Sequence, residues 1–197
     1  AKIMTTVHDV VFRHVPAAYP PANLRRQEWA VKRIVKQAQT ILAVSEATKK
    51  DLIDIYKVPE ERIVATHLAP ASGLGPRNPA AQVMLKYDIT PGMYILFVSR
   101  VEAKKNPVTL IRAFIELRRR YGVGHPLKLV LAGSQGFGGD EALQVAKASN
   151  CVNDILFLGY VPDEDIPGLM ENALCFAFPS LGEGFGIPVL EAMSAGA

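Results

Sequence analysis

Short apolar runs alternate with amphipathic segments along this chain, and the alternation limits the folds that the chain can adopt. The apolar runs are bounded by glycine, proline or serine and predict strands at 3–7, 41–44, 62–66, 94–99, 127–132, 155–158 and 173–178. Helical periodicity predicts helices at 22–38, 46–56, 80–87, 107–121, 141–149 and 163–172, and a last one from Pro188. Because several strands are apolar on both faces, the sequence predicts parallel sheets in an α/β fold.

The chain has 197 residues, which is enough for one large domain or two small ones. The stretch 70–79 is rich in glycine and proline, as is typical of a loop at a domain edge, and Pro91-Gly92 precedes a new strand. We therefore expect two domains, at 1–91 and 92–197. Both ends of the sequence fall close to predicted elements, so we expect a fragment of a longer protein, truncated at both ends.

The formal net charge is +3 and the charges are dispersed along the chain. The one short basic run, three arginines at 118–120, is predicted to end a helix, where cations complement the helix dipole. Proteins that bind nucleic acid carry a clustered basic footprint instead. We therefore expect no nucleic-acid partner.

The two cysteines, Cys151 and Cys175, lack the spacing of metal ligands and of a disulfide framework. They are typical of a reduced, cytoplasmic protein without a metal site. Cys175 falls inside a predicted apolar strand and is expected in the core. No apolar stretch is long enough to predict a membrane-spanning helix.

Polar residues or glycines come after five of the predicted strands: His8, Arg100, Gly133, Gly159-Tyr160 and Glu183. In open parallel sheets, ligands bind at the carboxyl ends of the strands. The pattern therefore predicts a ligand site built from these strand ends.

The stretch from Pro179 to Glu191 places two carboxylates on either side of a glycine-rich loop that leads into a helix. Its glycines at 182, 184 and 186 are expected to let the backbone approach a ligand closely. Pro188 suits the first position of a helix, and Glu191 is then expected in the first turn, pointing back at the loop. A helix N-terminus attracts anions and carboxylates bind hydroxyls, so this arrangement suits a nucleotide sugar.

A second loop, between the strand at 94–99 and the helix at 107–121, carries the cations Arg100 and Lys105. Cations at a helix N-terminus oppose the helix dipole, so their presence favours a bound anion. They could absorb the negative charge that develops on a diphosphate leaving group. Lys104 is interpreted as a solvated neighbour.

These two stretches resemble motifs of the retaining glycosyltransferases of family 4, the group 1 glycosyl transferases with a GT-B fold. The first resembles the Glu-x7-Glu motif, and the second resembles the Gly-Arg-Leu-x-x-x-Lys-Asn segment with Ser99 in place of the glycine. The segment at 6–9 is similar to the family's His-Asp segment. The segment at 43–48 is similar to the family's Val-Ser-x-x-Ser/Thr segment. Many relatives carry a Pro-Asn-Gly turn where this chain has residues 64–70, and this chain lacks the glycine of that turn. The resemblance covers nearly the whole chain and implies two Rossmann-like domains.

The resemblance also implies roles for individual residues. His8 would contact the transferred sugar, and Arg100 and Lys105 would grip the donor pyrophosphate. Glu183 and the backbone of Gly184, Phe185 and Gly186 would hold the sugar hydroxyls, and Glu191 would hold the ribose. Gly133, Tyr160 and Val161 would complete the donor site, with Tyr160 and Val161 beside the base.

The implied reaction moves a hexosyl group, of mannosyl or glucosyl type, from a nucleotide diphosphate sugar such as GDP-mannose or UDP-glucose. The acceptor would be a saccharide or a lipid-linked saccharide in polysaccharide biosynthesis, the anomeric configuration would be retained, and neither metal nor another cofactor would take part. The protein would be cytoplasmic, with possible peripheral contact at the inner membrane face. Another GT-B enzyme, such as a nucleotide-sugar epimerase, and an inactive nucleotide-binding fragment stay open. The glycines at 132–139 do not match Gly-x-Gly-x-x-Gly, which disfavours a dehydrogenase.

Overall fold

The computed structural model describes residues 3–70, 77–122 and 124–197. The described residues divide into two compact units. The first contains those of Ala1–Ala69 together with Leu181–Ile187, and the second contains those of Pro70–Ser180 together with Pro188–Ala197. Most of the predicted loop at 70–79, residues 71–76, lies outside the described residues.

The first unit is built on a three-stranded parallel sheet in the order β1-β2-β3. Its strands are β1 (Met4–Val7), β2 (Thr40–Ala43) and β3 (Ile63–Ala65), and its helices are α1 (Pro21–Gln37) and α2 (Glu46–Tyr56). Ser45 caps α2, because its hydroxyl oxygen accepts a hydrogen bond from the backbone N–H of Thr48 at 3.1 Å. Fully buried Ile41 and Leu52 pack the sheet and α2 into one hydrophobic core.

The second unit contains a four-stranded parallel sheet in the order β6-β5-β4-β7. Its strands are β4 (Tyr94–Val98), β5 (Lys128–Ala132), β6 (Ile155–Gly159) and β7 (Cys175–Phe176). Its helices are α3 (Ala80–Tyr87), α4 (Pro107–Tyr121), α5 (Gly139–Lys147), α6 (Ile166–Glu171) and α7 (Ile187–Ser194). Strands and helices alternate, as the sequence predicted, and the α/β prediction is confirmed.

Strand β5 is buried on both faces. Leu129 and Leu131 belong to the core that includes Phe97 and Phe114, while Val130 between them joins a second core with Leu169. Successive strand residues point to opposite faces, so the buried apolar run Leu129–Ala132 of β5 requires a hydrophobic core on each side of the sheet. Among the described residues, no helix is long and apolar enough to cross a membrane.

Helix α3 packs in the second unit, although the predicted boundary between domains lay after residue 91. Val83 and Met84 of α3 enter the same core as Leu169 of α6. The two helices are also joined through Asp165, which precedes α6 and is 1% exposed. Its carboxylate accepts hydrogen bonds from Asn78 Nδ2 at 2.7 Å, Lys86 Nζ at 2.6 Å and Tyr87 OH at 2.7 Å. These contacts place the division of the described chain after Ala69.

Two details differ from the sequence-based expectations. Cys175 is exposed rather than in the core, because β7 is a short end strand of the sheet; Cys151 is buried. Helix α5 begins at Gly139, two residues earlier than predicted, and its N-cap is Gly138 in the left-handed conformation. A left-handed N-cap favours glycine, which sequence periodicity does not reveal.

Candidate functional site

A pocket of about 720 Å³ lies at the carboxyl ends of β4, β5 and β6 in the second unit. Each strand contributes the residues that follow it: Arg100 after β4, Gly133 after β5, and Tyr160 and Val161 after β6. Helices α6 and α7 complete the wall, and α7 contributes Glu191. The volume is in the range of small-molecule sites, and the strand ends are where open parallel sheets bind ligands.

The loops after β4 and β5 are packed against each other along their backbones. A Cβ at Gly133, whose φ is +148°, would lie 1.9 Å from the carbonyl oxygen of Ser99, and one at Gly139 would lie 2.2 Å from that of Val101. The backbone N–H of Val101 donates to the Ser134 carbonyl at 3.0 Å. The glycine-rich turn is therefore required for contact between two loops that form the pocket edge.

The cations of the β4–α4 loop occupy different positions. The Arg100 side chain is 63% exposed, lines the pocket and lies 3.9 Å from the Glu102 carboxylate, measured from Nε to Oε2. Lys105 ends a 3-10 turn just before α4, with its ammonium 5.2 Å from the centre of the Phe178 ring. Lys105 is outside the set of residues that line the pocket.

Glu191 faces the pocket from α7. Burial raises the pKa of its carboxyl, and the negative charge of Asp163, which lines the same pocket, raises it further. The expectation for its helix position was wrong: α7 begins at Ile187, so Pro188 is its second residue and the first turn contains no acidic residue. Hydroxyl donors or a cation near Glu191 would favour its ionised form.

Tyr160 and Val161 differ in exposure. The Tyr160 side chain is 75% exposed at the rim, whereas Val161 is 5% exposed and packs in the core beneath the pocket. The left-handed conformation of Gly159, with φ +67°, precedes this pair, and its carbonyl accepts a hydrogen bond from the backbone N–H of Gly133 at 2.7 Å. The pocket thus combines an apolar wall with an aromatic side chain at its rim.

The segment Leu181–Ile187 packs on the strand ends of the first unit. A Cβ at Gly184 would lie 1.7 Å from the carbonyl oxygen of His8, and one at Gly182 would lie 2.8 Å from Val11 Cγ1. The absence of a side chain at these two glycines is therefore required by neighbouring protein atoms, and their approach to a ligand stays a prediction. A Cβ at Gly186, with φ +91°, would have no described heavy atom within 4 Å.

All three strands of the first unit contribute a residue to this packing. The Ser45 hydroxyl, after β2, donates to the Gly184 carbonyl at 2.5 Å, and the His67 ring, after β3, lies 5.9 Å from the Phe185 ring. His8, after β1, contributes its backbone, and its side chain is exposed. The predicted site residues included neither Ser45 nor His67. The position of His67 just after a strand was the available signal.

Two known protein families match this chain along most of its length. The model for "Glycosyl transferases group 1" matches residues 88–197, and that for "Glycosyltransferase Family 4" matches residues 1–68. The chain belongs to the group 1 glycosyltransferases of family 4. The family resemblance that the sequence predicted is confirmed.

This family 4 chain is similar in sequence to two curated bacterial glycosyltransferases. It is 36% identical over 201 residues to the O-antigen chain mannosyltransferase B of Escherichia coli, covering 99% of the chain and 51% of that relative. It is 29% identical over 180 residues to a D-inositol 3-phosphate glycosyltransferase of Salinispora tropica, covering 84% of the chain and 37% of the relative. The chain thus spans about half the length, or less, of these relatives.

Solved structures of similar fold include Anabaena Alr3699/HepE in complex with UDP and glucose. The TM-score is 0.77 at 22% identity, over 99% of this chain and 51% of that one. WaaG, a glycosyltransferase involved in lipopolysaccharide biosynthesis, gives a TM-score of 0.71 at 18% identity, over 98% and 54% of the two chains. At such identities the similarity shows the fold, and the predicted GT-B type is confirmed.

The structure separates the predicted site residues of this family 4 chain into two groups. Five of them line the pocket of the second unit: Arg100, Gly133, Tyr160, Val161 and Glu191. Another five lie in the first unit: His8, Glu183, Gly184, Phe185 and Gly186. The remaining one, Lys105, lies in the second unit outside the pocket lining. In the described part of the chain, no group of three histidine, cysteine, aspartate or glutamate residues could hold a metal ion.

Proposed function

We propose that the protein is a glycosyltransferase that moves a hexosyl group, of mannosyl or glucosyl type, from a nucleotide diphosphate sugar to a saccharide or lipid-linked acceptor. The observation that supports this most is the pocket of about 720 Å³, which joins five predicted donor-site residues at the carboxyl ends of three parallel strands. The mannosyltransferase relative makes a mannosyl donor such as GDP-mannose a natural candidate, and UDP-glucose is the main alternative.

The nucleoside occupies this pocket in our proposal. The buried Val161 side chain gives an apolar surface for the base, and the exposed Tyr160 ring borders it at the rim. Glu191 accepts hydrogen bonds from the ribose hydroxyls. Because burial and Asp163 raise the pKa of Glu191, two hydroxyl donors would stabilise its ionised form, so ribose binding and ionisation favour each other.

The diphosphate leaving group is stabilised by Arg100 and Lys105. Both cations lie in the loop between β4 and α4, close to the start of a helix, where the backbone N–H groups also favour an anion. Fixed cations that meet charge developing in the transition state lower the barrier directly. We propose on this basis that the reaction needs no divalent metal.

The transferred sugar is held by Glu183 and the backbone of Gly184–Gly186, with His8 positioning it. The contact of Gly184 with the His8 carbonyl, and the hydrogen bond from Ser45, fix the loop that carries Glu183. We assign the first unit, which ends at Ala69 before it resumes at Leu181–Ile187, to the acceptor side, and the second unit to the donor side. Retention at the anomeric carbon, a cytoplasmic location and peripheral contact with the membrane complete the proposal.

The experiment compares Lys105→Ala with Lys104→Ala in the full-length protein that contains this chain. Lys105→Ala should lower turnover at least tenfold, which corresponds to about 1.4 kcal/mol of transition-state stabilisation, while Lys104→Ala stays within about twofold of the parent. Unchanged turnover in Lys105→Ala would refute the leaving-group assignment. Isomerisation of the donor without an acceptor would favour an epimerase. The one-bond C1–H1 NMR coupling of the product reports the anomeric configuration for both mannosyl and glucosyl products.

A further inference from the structure

The outward face of α1 carries a cluster of positive charge that does not show as a run in the sequence. Five exposed residues form this basic face: Arg25, Arg26, Lys32, Arg33 and Lys36. Successive residues of an α-helix are rotated by about 100°, so these five fall within an arc of about 120° and within about 16 Å along the axis. The opposite side of α1 packs into the core through buried Val31 and partly buried Ile34. Helical spacing therefore gathers on one face cations that are separated along the sequence.

Helix α1 carries more net positive charge than the whole chain. It contains five basic residues and one acidic residue, a formal charge of +4, whereas the 197 residues together carry +3. The acidic residue, Glu28, is 24% exposed and accepts a hydrogen bond from Tyr56 of α2 at 2.9 Å. Lys32 pairs with Glu28 at 3.1 Å, and the helix has no second carboxylate for the other four cations. The face therefore has an excess of charge that a negatively charged partner would compensate.

Trp29 lies at the centre of the basic face. The helical rotation places it midway between Lys32 and Arg26, which form the two edges of the arc. Trp29 is 61% exposed, and the Arg33 guanidinium lies 5.3 Å from the centre of its ring. An indole ring gains free energy when it is removed from water. The partner that fits this face best therefore accepts an apolar ring together with positive charge.

The basic face is poorly suited to contact with further parts of a longer protein. Burial removes the hydration of each cation, and a matching carboxylate is needed to compensate for that loss. Folded proteins therefore keep such groups of cations at the surface. We expect the face to stay accessible in the full-length protein that contains this chain.

We propose that the basic face of α1, with Trp29 at its centre, docks on an anionic lipid bilayer. Clusters of roughly four to eight lysines and arginines on an amphipathic helix are typical of binding to anionic headgroups. Tryptophan favours the boundary between headgroups and acyl chains, because its ring is apolar and its N–H is polar. Since the apolar side of α1 is occupied by the core, the helix lies on the bilayer and only the Trp29 ring enters it.

Docking through α1 specifies the membrane contact of the proposed function, on which it rests, and makes that contact depend on lipid charge. Helix α1 belongs to the first unit, which we assign to the acceptor side. The docked face holds this unit at the surface in which a lipid-linked acceptor is anchored. The acceptor then reaches the protein by diffusion within the bilayer.

The test is flotation of the full-length protein with two kinds of vesicle, phosphatidylcholine alone and phosphatidylcholine mixed with phosphatidylglycerol in equal parts. Each lysine or arginine near an anionic surface contributes about fivefold to binding, so the partition coefficient should be at least about tenfold higher for the anionic vesicles. Sodium chloride should weaken this binding, because it shortens the range of the attraction. Equal binding to both kinds of vesicle, or binding to single-stranded RNA and to neither vesicle, would overturn the proposal.

Charge variants localise the surface. The double substitution Arg25→Gln and Arg26→Gln should lower the partition coefficient on anionic vesicles at least about tenfold. The matched control, Arg119→Gln and Arg120→Gln, removes two exposed and adjacent cations at the end of α4. It should stay within about twofold of the parent, because charges farther from the bilayer than the screening length contribute little. Equal losses in the two double variants would overturn the assignment to α1.

The Trp29 ring has a readout of its own. Trp29→Ala should lower the partition coefficient at least about threefold, because its apolar area no longer leaves water. The control Tyr121→Ala, which removes an aromatic side chain that is 65% exposed on α4, should leave the coefficient unchanged. Vesicle binding should also shift the emission of Trp29 to shorter wavelength, measured as the difference between the parent and Trp29→Phe. No difference between these two spectra would overturn the entry of the ring into the bilayer.

Calorimetric titration with GDP and UDP separates this docking from the function proposed above. Nucleotide affinity should be the same in the parent and in the α1 variants, because none of the substituted residues lines the pocket. A parent protein that binds nucleotide but neither kind of vesicle would overturn the docking and leave the glycosyltransferase proposal standing. A parent that binds anionic vesicles but no nucleotide would overturn the glycosyltransferase proposal and leave the docking surface standing.

Discussion

Replacement of Asp165 by alanine is expected to destabilise the second unit by about 3 kcal/mol. The carboxylate is 1% exposed and accepts three hydrogen bonds, from Asn78, Lys86 and Tyr87. Lys86 is half exposed and regains water, so its ion pair contributes at most about 1 kcal/mol. A hydrogen bond to a charged group contributes about 1.5–3 kcal/mol, and the partly buried Asn78 and Tyr87 recover some of that from water.

Urea denaturation followed by far-UV circular dichroism measures this loss. The matched control is Glu171→Ala, which breaks an ion pair in the same region whose two side chains are 44% and 41% exposed. Such a pair contributes less than about 1 kcal/mol, so the control should barely move the midpoint. A cost for Asp165→Ala no larger than that of Glu171→Ala would refute the view that Asp165 joins α3 to α6.

The destabilisation should depend on pH. Burial alone would raise the pKa of Asp165, but the hydrogen bonds from Asn78, Lys86 and Tyr87 outweigh it and hold the pKa below its ordinary value. A group with a depressed pKa in the folded state contributes stability above its unfolded pKa, about 3.9, and loses it as the pH falls through the folded value. The difference between parent and Asp165→Ala should be full at pH 7 and shrink below about pH 4.

Two further predictions concern the loop Leu181–Ile187. Gly184→Ala should abolish activity in the full-length protein, because a Cβ 1.7 Å from the His8 carbonyl oxygen forces the loop away. Gly186→Ala should lower activity less, because its Cβ meets open space and only the strain of φ +91° opposes it. Equal losses of turnover in the two variants would contradict the role of the Gly184 contact. Ser45→Ala removes both the α2 cap and the hydrogen bond to Gly184. It should lower the free energy of unfolding by about 1 kcal/mol and also raise KM for the donor. Ser45→Asn should restore the cap and hence the stability. If Ser45→Asn also restored KM in steady-state kinetics, the hydroxyl bond to Gly184 would have no separate role.

The strands were predictable to within one or two residues wherever they lie in the middle of a sheet. Strand β5 extends from Lys128 to Ala132, and the prediction was 127–132. The agreement is close because a run of apolar residues in the middle of a parallel sheet is buried on both faces, so the whole run belongs to the strand. The prediction failed for Cys175, since an apolar run does not reveal that its strand lies at the end of a sheet.

Glycine-rich stretches were recognised as special, but their partners were not predictable. A glycine signals a close approach or a left-handed backbone, and only the tertiary fold shows what approaches it. For Gly184 the neighbour is the carbonyl of His8, separated by most of the chain, and for Gly133 it is Ser99. The same reason explains why His67 was missed: its contact with Phe185 joins segments that are distant in sequence. The ligand roles of these residues stay predictions.

The backbone contacts between the loops after β4 and β5 have a consequence for engineering. A residue larger than glycine at 133 or 139 would collide with the main chain at 99 or 101, so the shape of one loop dictates the shape of the other. Transplanting only one of them from a homologue with another donor preference would leave mismatched surfaces. The two loops should be exchanged together, as a single cassette.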